Sequence, residues 1–144
     1  MIVVDANLLI YAYNKQMPQH VPARHWVEET FSSDSKVGLP MQAILAFIRL
    51  STNTKLQGPH SSLPTVLSII DSWLAQPAVG ILHPGPRHWE ILRKLCVGAK
   101  ASGNLSTDAH FAALAIEHDA VLCSADADFA RFPGLRWKNP LTKI

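Results

Sequence analysis

The chain has 144 residues, of which 48% are hydrophobic and 17% charged, with a formal net charge of +2. These values exclude a disordered chain and are typical of one folded domain of ordinary size, which we expect to span residues 1–144. No apolar run approaches the ~20 residues that cross a bilayer, and Asp5 interrupts an N-terminus without a basic leader, so we predict a cytoplasmic protein.

Short β-type runs alternate with helical runs along the chain. In chain order we predict a strand at 2–4, a helix capped by Asn7 and ending near 13, a helix at 20–31, a strand at 36–40, a helix at 42–52, a turn-like stretch at 53–62, a helix at 63–74, a strand at 79–84, a helix from Pro86 to about 100, a helix capped by Ser106 or Thr107 and ending near 118, a strand at 120–123, a helical turn at 126–132 and a strand at 135–137. Strands separated by helices predict an α/β fold, with a parallel sheet of about five strands between two helical layers.

The cysteines and histidines do not form a metal-binding pattern. Cys96 and Cys123 lie in apolar segments outside any CxxC pattern, so we interpret them as reduced core residues. The seven histidines are scattered without HExxH or zinc-finger spacing, which argues against a zinc site.

Four of the eleven acidic residues stand out from the rest. The other seven fall on polar helix faces or at helix ends: Glu28, Glu29, Asp34, Asp71, Glu90, Glu117 and Asp119. Asp5, in contrast, lies between two apolar runs, where an unpaired buried charge would be very unfavourable. Because Asp5 directly follows a predicted strand, we place it at the carboxyl end of the sheet, where ligands bind in such folds.

Asp108, Asp126 and Asp128 each have two interpretations. Asp108 shares a helix face with apolar residues three, four, seven and eight positions later, so it is either a charge that favours the helix N-terminus or an acid held close to the sheet. Asp126 and Asp128 follow the strand at 120–123, and they either form an Asx-type turn or helix cap or contribute to the same site as Asp5.

Three separate segments thus deliver carboxylates to one edge of the predicted sheet. At ~4 Å and an effective dielectric constant near 20, each pair of carboxylates repels by about 4 kcal/mol. Such a cluster is stable only when protons or a cation neutralise it. Oxygen ligands on a rigid scaffold suit Mg²⁺ or Mn²⁺, so the pattern predicts a divalent metal site.

Four stretches together resemble the PIN-domain ribonucleases, and specifically the VapC-type toxins of type II toxin–antitoxin systems. They are "VVDANLLIYAY", "HVPARHWVEE", "LPMQAILAFIRLSTN" and "LSTDAHFAALAIEHDAVLCSADADFARFPGLRWKNPL". The resemblance implies a PIN-like sandwich and a Mg²⁺-dependent endoribonuclease that leaves a 5′-phosphate and a 3′-hydroxyl. It also implies a VapB-like antitoxin as partner and a structured RNA as substrate.

The same resemblance assigns roles to the four acids. It implies catalytic roles for Asp5, Asp108, Asp126 and Asp128, with the metal ion held by the first three. Asp126 and Asp128 match the acids of a T-x-D-x-D-F stretch, in which Ser124 takes the place of threonine. Asn7 corresponds to a polar position that holds a ligand or water.

The chain departs from the family pattern at Ala46, where many relatives carry a glutamate in an E-F-x-R stretch. We expect one fewer carboxylate and therefore a site with one metal ion. Arg49, which is retained, is interpreted either as a structural ion pair or as a phosphate contact. The departure keeps open an alternative function, a catalytically weak PIN-fold module that binds RNA or protein.

The segment "MQAILAFIRL" is apolar at eight of ten positions, on more than one helix face. A helix of this kind needs cover on several sides, as does "LLIYAY". We therefore predict a homodimer and an antitoxin segment in a neighbouring groove, with cover from within the chain as the alternative. A phosphatase of the haloacid dehalogenase type is disfavoured because its D-x-D motif must follow the first strand.

Overall fold

In residues 1–55 and 60–142, which the computed structural model describes, five short strands form one parallel sheet. The strands are β1 (Ile2–Val4), β2 (Val37–Pro40), β3 (Val79–Leu82), β4 (Val121–Cys123) and β5 (Arg136–Lys138). Their order across the sheet is β3-β2-β1-β4-β5, with β1 in the centre and parallel to both neighbours. The first and fourth strands of the chain therefore lie side by side.

Six α-helices in the same ranges surround the sheet. They are α1 (Ala6–Tyr13), α2 (His20–Phe31), α3 (Met41–Thr52), α4 (Leu63–Leu74), α5 (His88–Ala99) and α6 (Leu105–Glu117). Helix α1 packs against α2 and α3, α3 packs against α4, and α5 packs against α6, which also contacts β1 and β4. The predicted fold class, a three-layer α/β sandwich around a parallel sheet, is confirmed.

The central strands are covered on both faces. Val3, Val4 and Leu122 have no exposed surface, in agreement with the continuous apolar runs that parallel strands require. Ala112, Ala113 and Ala115 leave α6 free to approach the sheet, so its first turn lies close to the carboxyl ends of the strands.

The helix N-termini differ from the predicted ones. Asp5, and not Asn7, is the N-cap of α1, and its Oδ1 accepts a hydrogen bond from Ala6 N at 2.7 Å. Helix α6 begins at Leu105, so the prediction that Ser106 or Thr107 caps it is wrong. Ser106 Oγ instead donates to the carbonyl of Gly103.

Other boundaries agree to within a few residues. Helix α5 begins two residues after Pro86 and ends at Ala99, and its C-cap, Lys100, adopts a left-handed conformation with φ of 49°. Residues 56–59 of the predicted turn lie outside the described residues.

Cys123 is buried and Cys96 half-buried, and neither forms a disulfide. Among the helices described here, none combines the length and the apolar character that a membrane crossing requires.

Glu117 joins the C-terminal end of α6 to the N-terminal end of α5. Its carboxylate accepts hydrogen bonds from the backbone N–H groups of Gly85 and Arg87, both at 2.8 Å. Nearby, the rings of His88 and His110 share a hydrogen bond of 2.8 Å between the two helices. Because the end of α6 meets the start of α5, and a short connection joins the end of α5 to the start of α6, the two helices run antiparallel.

Candidate metal centre

The neighbouring strands β1 and β4 bring two acidic segments to the same edge of the sheet. Asp5 directly follows β1, and its backbone N–H donates to the carbonyl of Cys123, the last residue of β4, at 3.0 Å. Asp126 lies three residues beyond β4 and caps a short 3₁₀ helix, Ala127–Arg131. The predicted placement of both acids at the carboxyl ends of the strands is therefore what the structure has.

The charge of Asp5 is met by neutral donors. The residue is 8% exposed, and its second oxygen, Oδ2, accepts a hydrogen bond of 2.7 Å from Ser124 Oγ. The pKa of Asp5 is raised overall. Burial raises it most, the hydrogen bonds from Ser124 and Ala6 lower it, and the charge of Asp126 raises it further. Each oxygen keeps a second lone pair, so both oxygens of this buried carboxylate can accept a further bond from a donor or a cation.

Ser124 connects the segments that carry the acids. Its side chain is fully buried, and besides donating to Asp5 it accepts hydrogen bonds from Asn7 Nδ2 at 3.1 Å and from Asp126 N at 3.0 Å. Asn7 Oδ1 in turn accepts from Ala125 N at 3.4 Å. Sequence reasoning noted Ser124 only as a replacement for threonine, whereas this hydroxyl fixes the loop after β4 to the start of α1.

Asp108, Asp126 and Asp128 form the cluster of carboxylates that is open to solvent. One oxygen from each lies within 4.8 Å of the other two. The Asx-type turn considered for this segment is present as well, since Asp126 Oδ1 accepts from Asp128 N at 2.9 Å. Arg131 approaches Asp128 at 3.8 Å, but both side chains are about half exposed (55% and 52%), which makes the pair weak.

Asp108 carries the electrostatic signature of the cluster. Partial burial, followed by the charges of Asp126, Asp5 and Asp128, raises its pKa to about 6. Both causes disfavour the charged form of Asp108, because burial removes water from it and the neighbouring carboxylates repel it. Divalent cations with oxygen ligands fit such a set, because they supply the missing positive charge to carboxylates already within reach of one centre.

The structure thus groups the predicted acids in two layers. Asp108, Asp126 and Asp128 lie together at the surface, and Asp5 lies behind them with both oxygens hydrogen-bonded. The predicted metal ligands were Asp5, Asp108 and Asp126. The cluster contains the last two of these, and Asp5 is close enough for its charge to raise the pKa of Asp108.

Helix α3 adds no carboxylate to this cluster. Ala46 lines a groove together with Ala6 and Thr107, the chain neighbours of Asp5 and Asp108. Arg49 lines the same groove and is exposed. No carboxylate of the described ranges lies within 4.0 Å of its guanidinium, so the structural ion pair considered for Arg49 is not formed there.

The chain is similar in sequence to known proteins over nearly its whole length. The PIN domain family matches residues 2–135. VapC ribonuclease Mb2897 of Mycobacterium bovis is 40% identical over 141 residues, which cover 98% of this chain and 96% of that protein.

Two solved structures share the fold at lower sequence identity. VapBC2 from Rickettsia felis, bound to a DNA fragment from its promoter, has a TM-score of 0.69 at 19% identity and covers 96% of this chain and 98% of its own. VapC20 of Mycobacterium tuberculosis, a toxin that cleaves the sarcin-ricin loop, has a TM-score of 0.67 at 18% identity, with 94% and 99% covered. The sequence match to a VapC ribonuclease over nearly the whole chain, with carboxylates gathered at one edge of the sheet, shows that the chain belongs to the VapC group of the PIN-domain family.

Proposed function

We propose that the protein is a metal-dependent endoribonuclease toxin that hydrolyses RNA phosphodiester bonds and is neutralised by a VapB-like antitoxin. The observation that carries the proposal is the cluster of three carboxylates within 4.8 Å in a chain that is 40% identical to a VapC ribonuclease. We further propose that residues 1–144 act as a single PIN domain in the cytoplasm.

The four acids divide the catalytic work according to their positions. Asp5, Asp108 and Asp126 would hold Mg²⁺, for which Mn²⁺ can substitute, and Asp128 completes the acidic face toward solvent. When bound, such an ion lowers the pKa of water and polarises the phosphate. Ser124 holds the carboxylate of Asp5 and the backbone of Asp126 in one fixed arrangement, so the ligands need little reorganisation when the ion and the RNA bind.

Two relatives support the proposed partners. The R. felis neighbour is a VapB–VapC complex, and the M. tuberculosis neighbour acts on the sarcin-ricin loop, so we propose a VapB-like antitoxin and a structured RNA substrate for this chain.

The surface of α3 and α4 supports a homodimer. Met41, Leu63 and Leu67 are 38–50% exposed there. In α1, by contrast, Leu8, Leu9 and Ala12 are buried, so "LLIYAY" is covered mainly from within the chain. The unpaired apolar surface that favours a second subunit or an antitoxin segment is therefore on α3 and α4.

Cleavage of RNA by the purified chain tests the proposal. We expect cutting of a structured RNA with Mg²⁺, none with EDTA, and a loss of more than about 100-fold in Asp126→Asn, since even an indirect metal contact is worth about 10–100-fold. Asp126 is the better target than Asp5, whose replacement also removes the cap of α1. Asp34→Asn, an exposed acid near the amino ends of the strands, is the matched control and should cut normally.

Two results would contradict the proposal. Cleavage by Asp126→Asn at the rate of the unmodified chain would remove the acidic cluster from the reaction. RNA binding without cleavage under any divalent ion would favour the non-cutting module, for which the alanine at position 46 is the supporting observation.

A further inference from the structure

A groove of about 540 Å³ opens directly beside the acidic cluster. One wall is α3, and the other is formed by the first residue of α1 and the first turns of α6. Ala6 and Thr107 in that second wall adjoin Asp5 and Asp108 in the chain, so the groove and the cluster share an edge. We call this feature the α3 groove.

The α3 groove is mainly apolar, with a few polar groups. Leu45, Ala46, Ile48 and Phe111 contribute apolar surface, and the short side chain of Ala46 leaves the middle of the α3 wall open. Gln42 and Thr107 add groups that can both donate and accept hydrogen bonds. A concave site of about 300–1,000 Å³ with this mixture is typical of pockets for small ring systems.

Arg49 gives the α3 groove a positive charge. It lies one helical turn from Ala46, and it is the cation in the described lining of the groove. As shown above, it makes no ion pair with a described carboxylate. A guanidinium in this position suits a phosphate oxygen or the face of a base.

We propose that the α3 groove binds the nucleobase of the RNA nucleotide next to the cleaved bond, with Arg49 on that nucleotide's phosphate. The inference rests on the ribonuclease function proposed above. A phosphate at the acidic cluster is covalently joined to two nucleotides, so one base must lie beside the cluster, where the groove is. Apolar walls accept a stacked base, and Gln42 and Thr107 can bind its polar edge.

The proposal predicts that Ala46 controls binding of one base. In an Asp126→Asn background, which prevents cutting, the affinity for a short labelled RNA is measured by fluorescence anisotropy, with each base in turn replaced by an abasic site. We expect one abasic position to weaken binding about tenfold, within the range for a stacked base. Ala46→Leu should weaken binding of the complete RNA by a similar factor and abolish the effect of that abasic site.

Controls separate a filled groove from general damage. Ala75→Leu adds the same atoms at the exposed end of α4 and should leave both affinities unchanged. Arg49 is exposed, and Arg49→Gln should reduce the slope of log Kd against log salt concentration by about 1. Lys36→Gln, before β2 at the amino end of the sheet, is the control and should leave the slope unchanged. A 4-thiouridine at the sensitive position should crosslink to residues that line the α3 groove, on α3 or on the facing first turns of α6.

Other outcomes overturn the proposal. They are an abasic effect of equal size in Ala46→Leu, a crosslink outside the residues that line the α3 groove, or an Ala46→Leu variant that loses only dimerisation or antitoxin binding while RNA binding is retained. Absence of cleavage by the unmodified chain would refute the ribonuclease function alone, because base-dependent binding in the α3 groove is measured separately.

Discussion

The two ends of α6 each carry an acid, and the two acids have opposite surroundings. Asp108 lies in the first turn, where partial burial and, after it, the charges of three other aspartates raise its pKa to about 6. Glu117 in the last turn accepts two backbone hydrogen bonds and approaches His88 at 3.9 Å. Burial opposes these contacts, but the net effect is a lowered pKa for Glu117.

The difference shows how one helix separates function from stability. At Glu117 the fold itself supplies every partner that the carboxylate needs, so the acid stabilises the α5–α6 pair. At Asp108 burial and three further carboxylates disfavour the charged form, which a cation bound from outside would favour. A carboxylate whose pKa the folded chain raises is a better indicator of a binding site than its exposure is.

Exchanging each acid for its amide tests this comparison most strongly. Asp108→Asn should lower RNA cleavage by more than about 100-fold while the metal-free protein remains at least as stable, because repulsion is relieved. Glu117→Gln should lower the free energy of unfolding by about 1–3 kcal/mol, since an amide N–H₂ would face backbone N–H donors, with cleavage by the folded fraction retained. Urea unfolding and single-turnover cleavage measure the two effects, and a variant impaired in both would show that the two ends are not independent.

Gly85 sharpens the comparison at the structural end. A Cβ at this position would lie 2.5 Å from Glu117 Oε2, so Gly85→Ala must displace the carboxylate from its two donors. We expect a loss of about 1–3 kcal/mol in the free energy of unfolding. Gly98→Ala is the matched control, because it lies within α5 with nothing within 4 Å, and it should raise stability by about 0.5–1 kcal/mol. Equal effects at both glycines would mean that the Glu117 contacts contribute little.

The smallest expected effect is a pH dependence of opposite sign at the two ends. Between 3.8 and about 6, unfolded Asp108 binds fewer protons than the folded residue, so its contribution to the stability of the metal-free protein falls as pH rises through this range. Glu117, with its lowered pKa, contributes stability above 4.5 that is lost as pH falls. In EDTA, the melting temperature of the natural chain should therefore drop below that of Asp108→Asn as pH rises from 4 to 6. A constant difference would contradict the raised pKa.

The sequence predicted the layered fold because hydrophobic periodicity is local. Helices α2 and α4 have the predicted bounds, and the strands agree to within two residues. The helix caps were less predictable, since Asp5, Asn7 and Ser106 all carry side chains that can cap. Which of them does so depends on contacts such as that between Asn7 and Ser124, which are 117 positions apart.

The site was predictable only in outline. The position of Asp5 and Asp126 after strands indicated one edge of the sheet, and parallel topology makes those edges coincide. The distances that place Asp128 in the surface cluster and Asp5 behind it depend on side-chain packing, which no spacing encodes. Glu117 shows the same limit, because its helical position suggested a solvated acid, whereas its side chain is only 10% exposed and holds Gly85.

The hydrogen bond between Asp5 and Ser124 joins residues 119 positions apart in the chain. The acidic edge is therefore composed of segments that lie far apart in the chain and that a ribosome makes at well-separated times. A nascent or prematurely terminated chain carries Asp5 without Asp126 or Asp128 and cannot assemble the cluster. A chain that stops before residue 126 would therefore lack the acidic cluster and, with it, the ribonuclease activity proposed above.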